Sequence, residues 1–159
     1  MPKRPNWDAY FMEIAEVTKK RTNCIRNEVG AVVVKDKTII GTGYNGTPSG
    51  IKNCFEGGCE RCMKRERGEI GAGVDKELCV CVHAEQNAIL QSAYHGISTQ
   101  GATLYSTIAP CNQCAKMIIN AGIDEVVALD EHSDNRGEEL LKKAGVKLRF
   151  VDDPLKMAT

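Results

Sequence analysis

Between residues 84 and 151, helical and strand patterns alternate three times. A chain that alternates in this way has few means of burying both kinds of apolar face. Helical spacing runs over residues 84–94, where Ala84, Ala88, Ile89 and Ala93 mark one face, then over 111–121, and then over 137–144, closed by Gly145. Apolar, strand-like runs separate and follow these helices at 102–107, 125–129 and 146–151. Ahead of them, Tyr10, Phe11, Ile14, Ala15 and Val17 describe an amphipathic helix, and Lys19, Lys20 and Arg21 at its end suit the helix dipole. The β-branched runs 29–34 and 38–44, joined by Lys35-Asp36-Lys37, read as a hairpin. This order predicts a mixed five-stranded sheet with helices on both faces, a three-layer α/β/α architecture. Residues 1–159 are read as a single domain, without repeat or linker and long enough for its own core.

Charge narrows the functional classes. Twenty-one basic residues balance twenty-one acidic ones, which removes the electrostatic case for a general nucleic-acid or membrane binder. No apolar run approaches the length of a membrane span, and residues 1–7 lack a signal-peptide core, so a cytoplasmic chain is expected.

Eight cysteines stand out against this ordinary background. Four disulfides would suit a small exported domain, but this chain has 42% hydrophobic residues and no export signal. In a reducing compartment such cysteines act more often as metal ligands or nucleophiles.

Two of them belong to a constellation set at predicted helix starts. His83-Ala84-Glu85 opens one helix, and Pro110-Cys111-Asn112-Gln113-Cys114 opens the next. Two thiolates three residues apart on a first turn can face one ion, and His83 makes a third ligand. Three protein ligands leave the fourth position of zinc open to water, the catalytic arrangement. The thiolates cancel the ion's formal charge while two helix N-termini add positive potential, a setting that acidifies the water near neutral pH. Glu85, two residues from His83, can take the water's proton and return it to a leaving nitrogen. Taken singly, His83 would be an ordinary hydrogen-bonded histidine, each cysteine a small buried hydrophobe, and Glu85 a first-turn acid. Together they match the H-x-E…P-C-x-x-C pattern of zinc nucleobase deaminases.

Further runs extend the match: Cys24-Ile25-Arg26-Asn27-Glu28-Val29-Gly30-Ala31, Gly43-Tyr44-Asn45-Gly46-Thr47-Pro48-Ser49-Gly50, and Ala121-Gly122-Ile123. With the zinc motifs, they make the chain resemble the deoxycytidylate (dCMP) deaminase family from about residue 7 to residue 150. The resemblance implies hydrolysis of dCMP to dUMP and ammonia, a step of pyrimidine deoxynucleotide biosynthesis. It further implies His83, Cys111 and Cys114 as catalytic zinc ligands and Glu85 as proton shuttle. Asn45 falls where the family contacts the sugar, and Arg26 where it tends to bind phosphate. Read alone, Asn45 is also a turn residue before Gly46, and Arg26 a solvated charge. Where the family has a Tyr closing over the pyrimidine, this chain has His132, able to stack on a base, bind phosphate or sit idle at the surface. His95 reads as a helix-terminal residue with no catalytic role. The resemblance also implies a homohexamer, allosteric control by dCTP and dTTP at residues 44–50, and Mg2+ accompanying the triphosphate.

The remaining cysteines allow alternatives. Residues 52–82 show no clear period, and a structureless stretch of that length needs something to hold it. Cys59-Glu60-Arg61-Cys62 with Cys79-Val80-Cys81 has the spacing of a structural zinc site. Some phage-type members of the family carry a structural zinc at positions matching Cys24, Cys54 and Cys81. The two readings share Cys81, six thiols could hold more than one ion, and Cys24 could be free. Two other functions compete: deamination of another cytosine or purine compound, and a zinc-stabilised nucleotide-binding module without turnover. The presence of Glu85 speaks against the second.

Overall fold

Val32 and Val34 point to one face of strand β1 (Gly30–Lys35), Ala31 and Val33 to the other, and the two faces meet different helices. In this computed structural model, which describes residues 3–154, β1 lies inside a five-stranded sheet ordered β2-β1-β3-β4-β5. The other strands are β2 (Thr38–Tyr44), β3 (Thr103–Ile108), β4 (Glu125–Asp130) and β5 (Lys147–Phe150). Strand β1 runs antiparallel to β2 and β3, whereas β3, β4 and β5 are parallel, so the mixed sheet is as expected. Residues 1, 2 and 155–159, included in the single-domain reading, lie outside the described residues.

Helix α1 (Trp7–Lys19) covers one face, packing Phe11, Met12 and Ala15 on Val32, Val34, Tyr105 and Val127. On the other face α3 (Ala84–Tyr94), α4 (Asn112–Asn120) and α5 (Arg136–Lys143) bury Ala88, Ile118 and Leu141 against Ala31, Val33, Leu104 and Val126. These are the three layers predicted. Helix α1 begins earlier than its apolar spacing indicates because the Asn6 side chain accepts from the Ala9 N–H at 2.8 Å, capping the first turn.

The predicted hairpin forms, with Asp36 and Lys37 both at positive φ, the backbone that a two-residue turn between twisted strands requires. The expectation of a structureless 52–82 stretch is corrected. It contains α2 (Glu60–Glu66) and single helical turns at Cys54–Glu56 and Lys76–Leu78. The buried residues of α2 are Arg61 and Cys62, not a hydrocarbon stripe, which is why no apolar period betrays it. Arg61 ties this helix to the loop beyond it, donating to the carbonyls of Val74 at 2.9 Å and Ala72 at 2.8 Å.

Because β2, β3 and β4 point the same way, the segments after their C-terminal ends share one edge of the sheet, where α/β folds place ligand sites. Close packing fixes what reaches that edge. A Cβ on Gly43 would lie 2.1 Å from the Ala84 carbonyl oxygen, and one on Gly41 2.3 Å from that of Ala88. Helix α3 therefore rests directly on the β2 backbone. Gly137 plays the same part for α5, since its Cβ would lie 2.2 Å from the Pro110 carbonyl oxygen.

Candidate active site

His83 and Cys111 are the capping residues at the starts of α3 and α4, and Cys114 lies in the first turn of α4. Both helix N-termini thus aim their positive ends at one place. His83 Nδ1 lies 3.5 Å from Cys111 Sγ and 3.3 Å from Cys114 Sγ. The donor atoms all lie within 4.8 Å of one another. Ligands of a tetrahedral zinc with Zn–N and Zn–S bonds of ordinary length sit about 3.5 Å apart, so one imidazole and two sulfurs fit this ion. His83 is held by its own backbone, whose N–H donates to Gln86 Oε1 at 3.0 Å.

Electrostatics bind the group together. The Cys111 thiol is lowered to about 3, chiefly by the bond from Cys114, with His83 adding to it against burial. His83 is raised to about 9, mainly by its bond to Cys111. Cys114 is pushed up by the neighbouring Cys111 thiolate and by burial.

Glu85 is 3% exposed, and Cys114 Sγ donates to its Oε2 at 3.7 Å. Burial pushes this carboxyl above the usual carboxylate range. A buried acid with a raised pKa, beside a three-ligand set, can both hold a proton and give it up.

The other predicted residues are placed less uniformly. Asn45 is buried after β2, and its side-chain carbonyl accepts from the Ala84 N–H at 2.7 Å, so it caps α3 next to His83 and leaves its amide NH2 for another partner. Arg26 is exposed and pairs with Glu66 of α2 at 2.9 Å. His132 comes after β4 on the same edge, with Nδ1 accepting from the Asp134 N–H at 3.0 Å. His95 ends α3, as expected of a helix-terminal residue.

Sequence reasoning missed Asn23. Its Oδ1 accepts from the Thr47 N–H at 3.0 Å and the Cys54 N–H at 3.3 Å, while Nδ2 donates to Asn53 Oδ1 at 2.9 Å. It therefore clasps the loop after β2 to the cysteine-rich segment. Only its position beside Cys24 could have drawn attention to it.

The six other cysteines meet in a cluster of their own. Cys24, Cys54, Cys62 and Cys81 form one set of mutually close sulfurs, and Cys59, Cys62, Cys79 and Cys81 a second. The first set contains the Cys24, Cys54 and Cys81 positions of one sequence reading, and the second comprises the four residues of the other; the two sets have Cys62 and Cys81 in common.

The family model for the cytidine and deoxycytidylate deaminase zinc-binding region matches residues 5–130. The chain belongs to that family. It is 44% identical to the deoxycytidylate deaminase of Mycobacterium phage D29, over 78% of this chain and 94% of the relative. It is 40% identical to the deoxycytidylate deaminase of Saccharomyces cerevisiae, over 95% of this chain but 47% of the relative. The corresponding protein of Schizosaccharomyces pombe is 43% identical, with 46% of it covered. The chain thus spans about half the length of the two yeast relatives. Among solved structures, the dCMP deaminase of cyanophage S-TIM5 in complex with dCMP and dUMP superposes with a TM-score of 0.77 at 34% identity, covering 94% of this chain and 100% of that one. The matched residues 5–130 include His83, Glu85, Cys111 and Cys114.

Proposed function

We propose that the protein is a zinc-dependent hydrolase that converts dCMP and water to dUMP and ammonia. The observation that carries this reading is the convergence of His83 Nδ1 with the Cys111 and Cys114 sulfurs beside the buried Glu85. His83, Cys111 and Cys114 would hold the ion, which when bound supplies a Lewis acid that acidifies water. Glu85 takes the proton of the attacking water and delivers it to N3 of the cytosine as the C4–O bond forms. The same carboxyl then takes the proton of the new C4 hydroxyl and passes it to the 4-amino nitrogen, the C4–N bond breaks, and ammonia leaves as the carbonyl forms. Asn45 orients the sugar through its free amide NH2, and its bond to the Ala84 N–H fixes that group relative to His83. His132 covers the pyrimidine from the loop after β4. Arg26 meets the phosphate by releasing Glu66.

The phage and yeast relatives and the nucleotides bound to the cyanophage protein support dCMP as substrate. Ammonia release from dCMP, CMP, dCTP and deoxycytidine, each supplied alone, tests it. Fastest release from dCMP is expected; ammonia from another of these and none from dCMP would discard it.

The proposal extends to regulation and assembly. A cleft of about 330 Å³ lined by Tyr44, Gly46, Thr47, Ser49, Asn87 and Gln91 borders the loop at 44–50 and offers space for a dCTP or dTTP effector with its Mg2+. At subsaturating dCMP, dCTP and dTTP should change the rate, and unchanged rates would count against the effector site. A cytoplasmic homohexamer completes the proposal, with sedimentation as the check on assembly. Among the described residues, no helix is long and apolar enough to cross a membrane. Structural zinc on the separate cysteine cluster belongs to the same proposal.

A further inference from the structure

We infer that the six cysteines outside the active site bind two zinc ions in one thiolate-bridged cluster, with the sulfurs of Cys62 and Cys81 shared between the ions. The two close-set groups have these two residues in common, leaving Cys24 and Cys54 as terminal ligands on one side and Cys59 and Cys79 on the other. Within each group every sulfur lies within 4.8 Å of the rest. Cys79 Sγ is 4.0 Å from Cys59 Sγ and 4.0 Å from Cys62 Sγ. A tetrahedral zinc with Zn–S bonds of about 2.3 Å sets its sulfurs about 3.8 Å apart, so the spacing is that of ligands to a common ion. A disulfide would bring two sulfurs to about 2.0 Å. An iron–sulfur cluster, which inserts iron and sulfide between its thiolates, would hold them farther apart.

A single ion serves this cluster poorly. It would use four sulfurs and leave two thiols among thiolates with no ligand role, either Cys24 and Cys54 or Cys59 and Cys79. Cys54 and Cys59 are fully buried, so such leftover groups would have little access to water. Two ions with six thiolates carry the same net charge as one ion with four, and every sulfur is used. Each thiol releases its proton to solvent as its S–H bond is replaced by a bond to zinc. Backbone N–H groups also face the sulfurs as they face metal-bound thiolates: Val80 donates to Cys59 Sγ at 3.4 Å, and the Arg26 and Asn27 N–H groups address Cys24. The cluster joins the strand-entry segment at Cys24, helix α2 and the segment ending at Cys81, two residues before His83.

Zinc per chain, measured on the reduced, zinc-loaded protein, is expected to be three: one at His83, Cys111 and Cys114 and two in the cluster. The cadmium-substituted protein should give three cadmium NMR signals, two of them mutually split through the shared sulfurs. Two metals per chain in the native protein, three signals without mutual splitting, or iron with acid-labile sulfide would each overturn the inference. Cys111→Ala alters only the active site and should remove one signal while the coupled pair persists. Absence of turnover on dCMP in the wild-type protein, with that pair present, would therefore leave this inference standing when the deaminase reading fails.

Discussion

Gly43→Ala adds one methyl group where helix α3 touches strand β2 and no space remains between the two backbones. The new Cβ would lie 2.1 Å from the Ala84 carbonyl oxygen and 2.4 Å from the Ala88 nitrogen, both backbone atoms that cannot rotate away. Restoring van der Waals contact requires α3 to retreat by about 1 Å or more. Overpacking of this kind costs about 1–3 kcal/mol of stability. Ala84 adjoins His83, so the same retreat draws the imidazole away from Cys111 and Cys114, and a displacement of about 1 Å in a reacting constellation lowers turnover by about 10²-fold. Urea denaturation and initial rates of ammonia release from dCMP would measure the two effects. Gly73→Ala is the control, because no atom lies within 4 Å of its new methyl. Wild-type stability and rate in Gly43→Ala would refute the claim that glycine contact sets the position of the metal ligands.

Other substitutions probe separate parts of the molecule. Glu85→Gln should lower turnover by about 10²–10⁴-fold with zinc content at the active site unchanged, as metal analysis beside a rate assay would show. Asn45→Ala should cost about 1–2 kcal/mol through loss of the cap on α3 and should also raise KM for dCMP. Asp8 accepts bonds from Arg149 at 2.6 and 2.8 Å and from Tyr105 at 2.8 Å, and the Arg149 bond holds its carboxyl below the usual range. The stability it contributes is complete above the ordinary carboxylate pKa and lost as pH falls through the lowered one. The unfolding midpoint of Asp8→Asn should therefore depend less on pH below about 4 than that of the wild type. Chelation of zinc should speed hydrogen exchange across residues 52–82 while the amides of β1 and β3 stay protected.

The sheet and its covering helices were legible because their apolar residues carry a period: Val32 and Val34 alternate with Ala31 and Val33, and α4 repeats its buried face at Cys114, Ala115 and Ile118. The candidate active site was legible because its donors sit at two helix starts, so local spacing already implies direction. Helix α2 was not, since its buried side is a thiol and a guanidinium whose partners lie in other loops. That Cys62 also lies beside Cys24 and Cys54 was equally hidden. Which loops fold back on one another depends on clasps such as Asn23, and nothing in the order of residues pairs Cys62 with Cys24. Arg26 shows the limit from the other side: the family resemblance suggests phosphate, but only the fold shows that Glu66 pairs with it.

Anomalous scattering at the zinc edge, from crystals grown with dUMP, would locate the active-site ion and the nucleotide in one experiment. A peak is expected within bonding distance of His83 Nδ1 and of both the Cys111 and Cys114 sulfurs, with the pyrimidine ring beside Glu85. A peak bonded to other residues, no peak at this position, or dUMP bound away from Glu85 would contradict the assignment of this centre to zinc-dependent deamination.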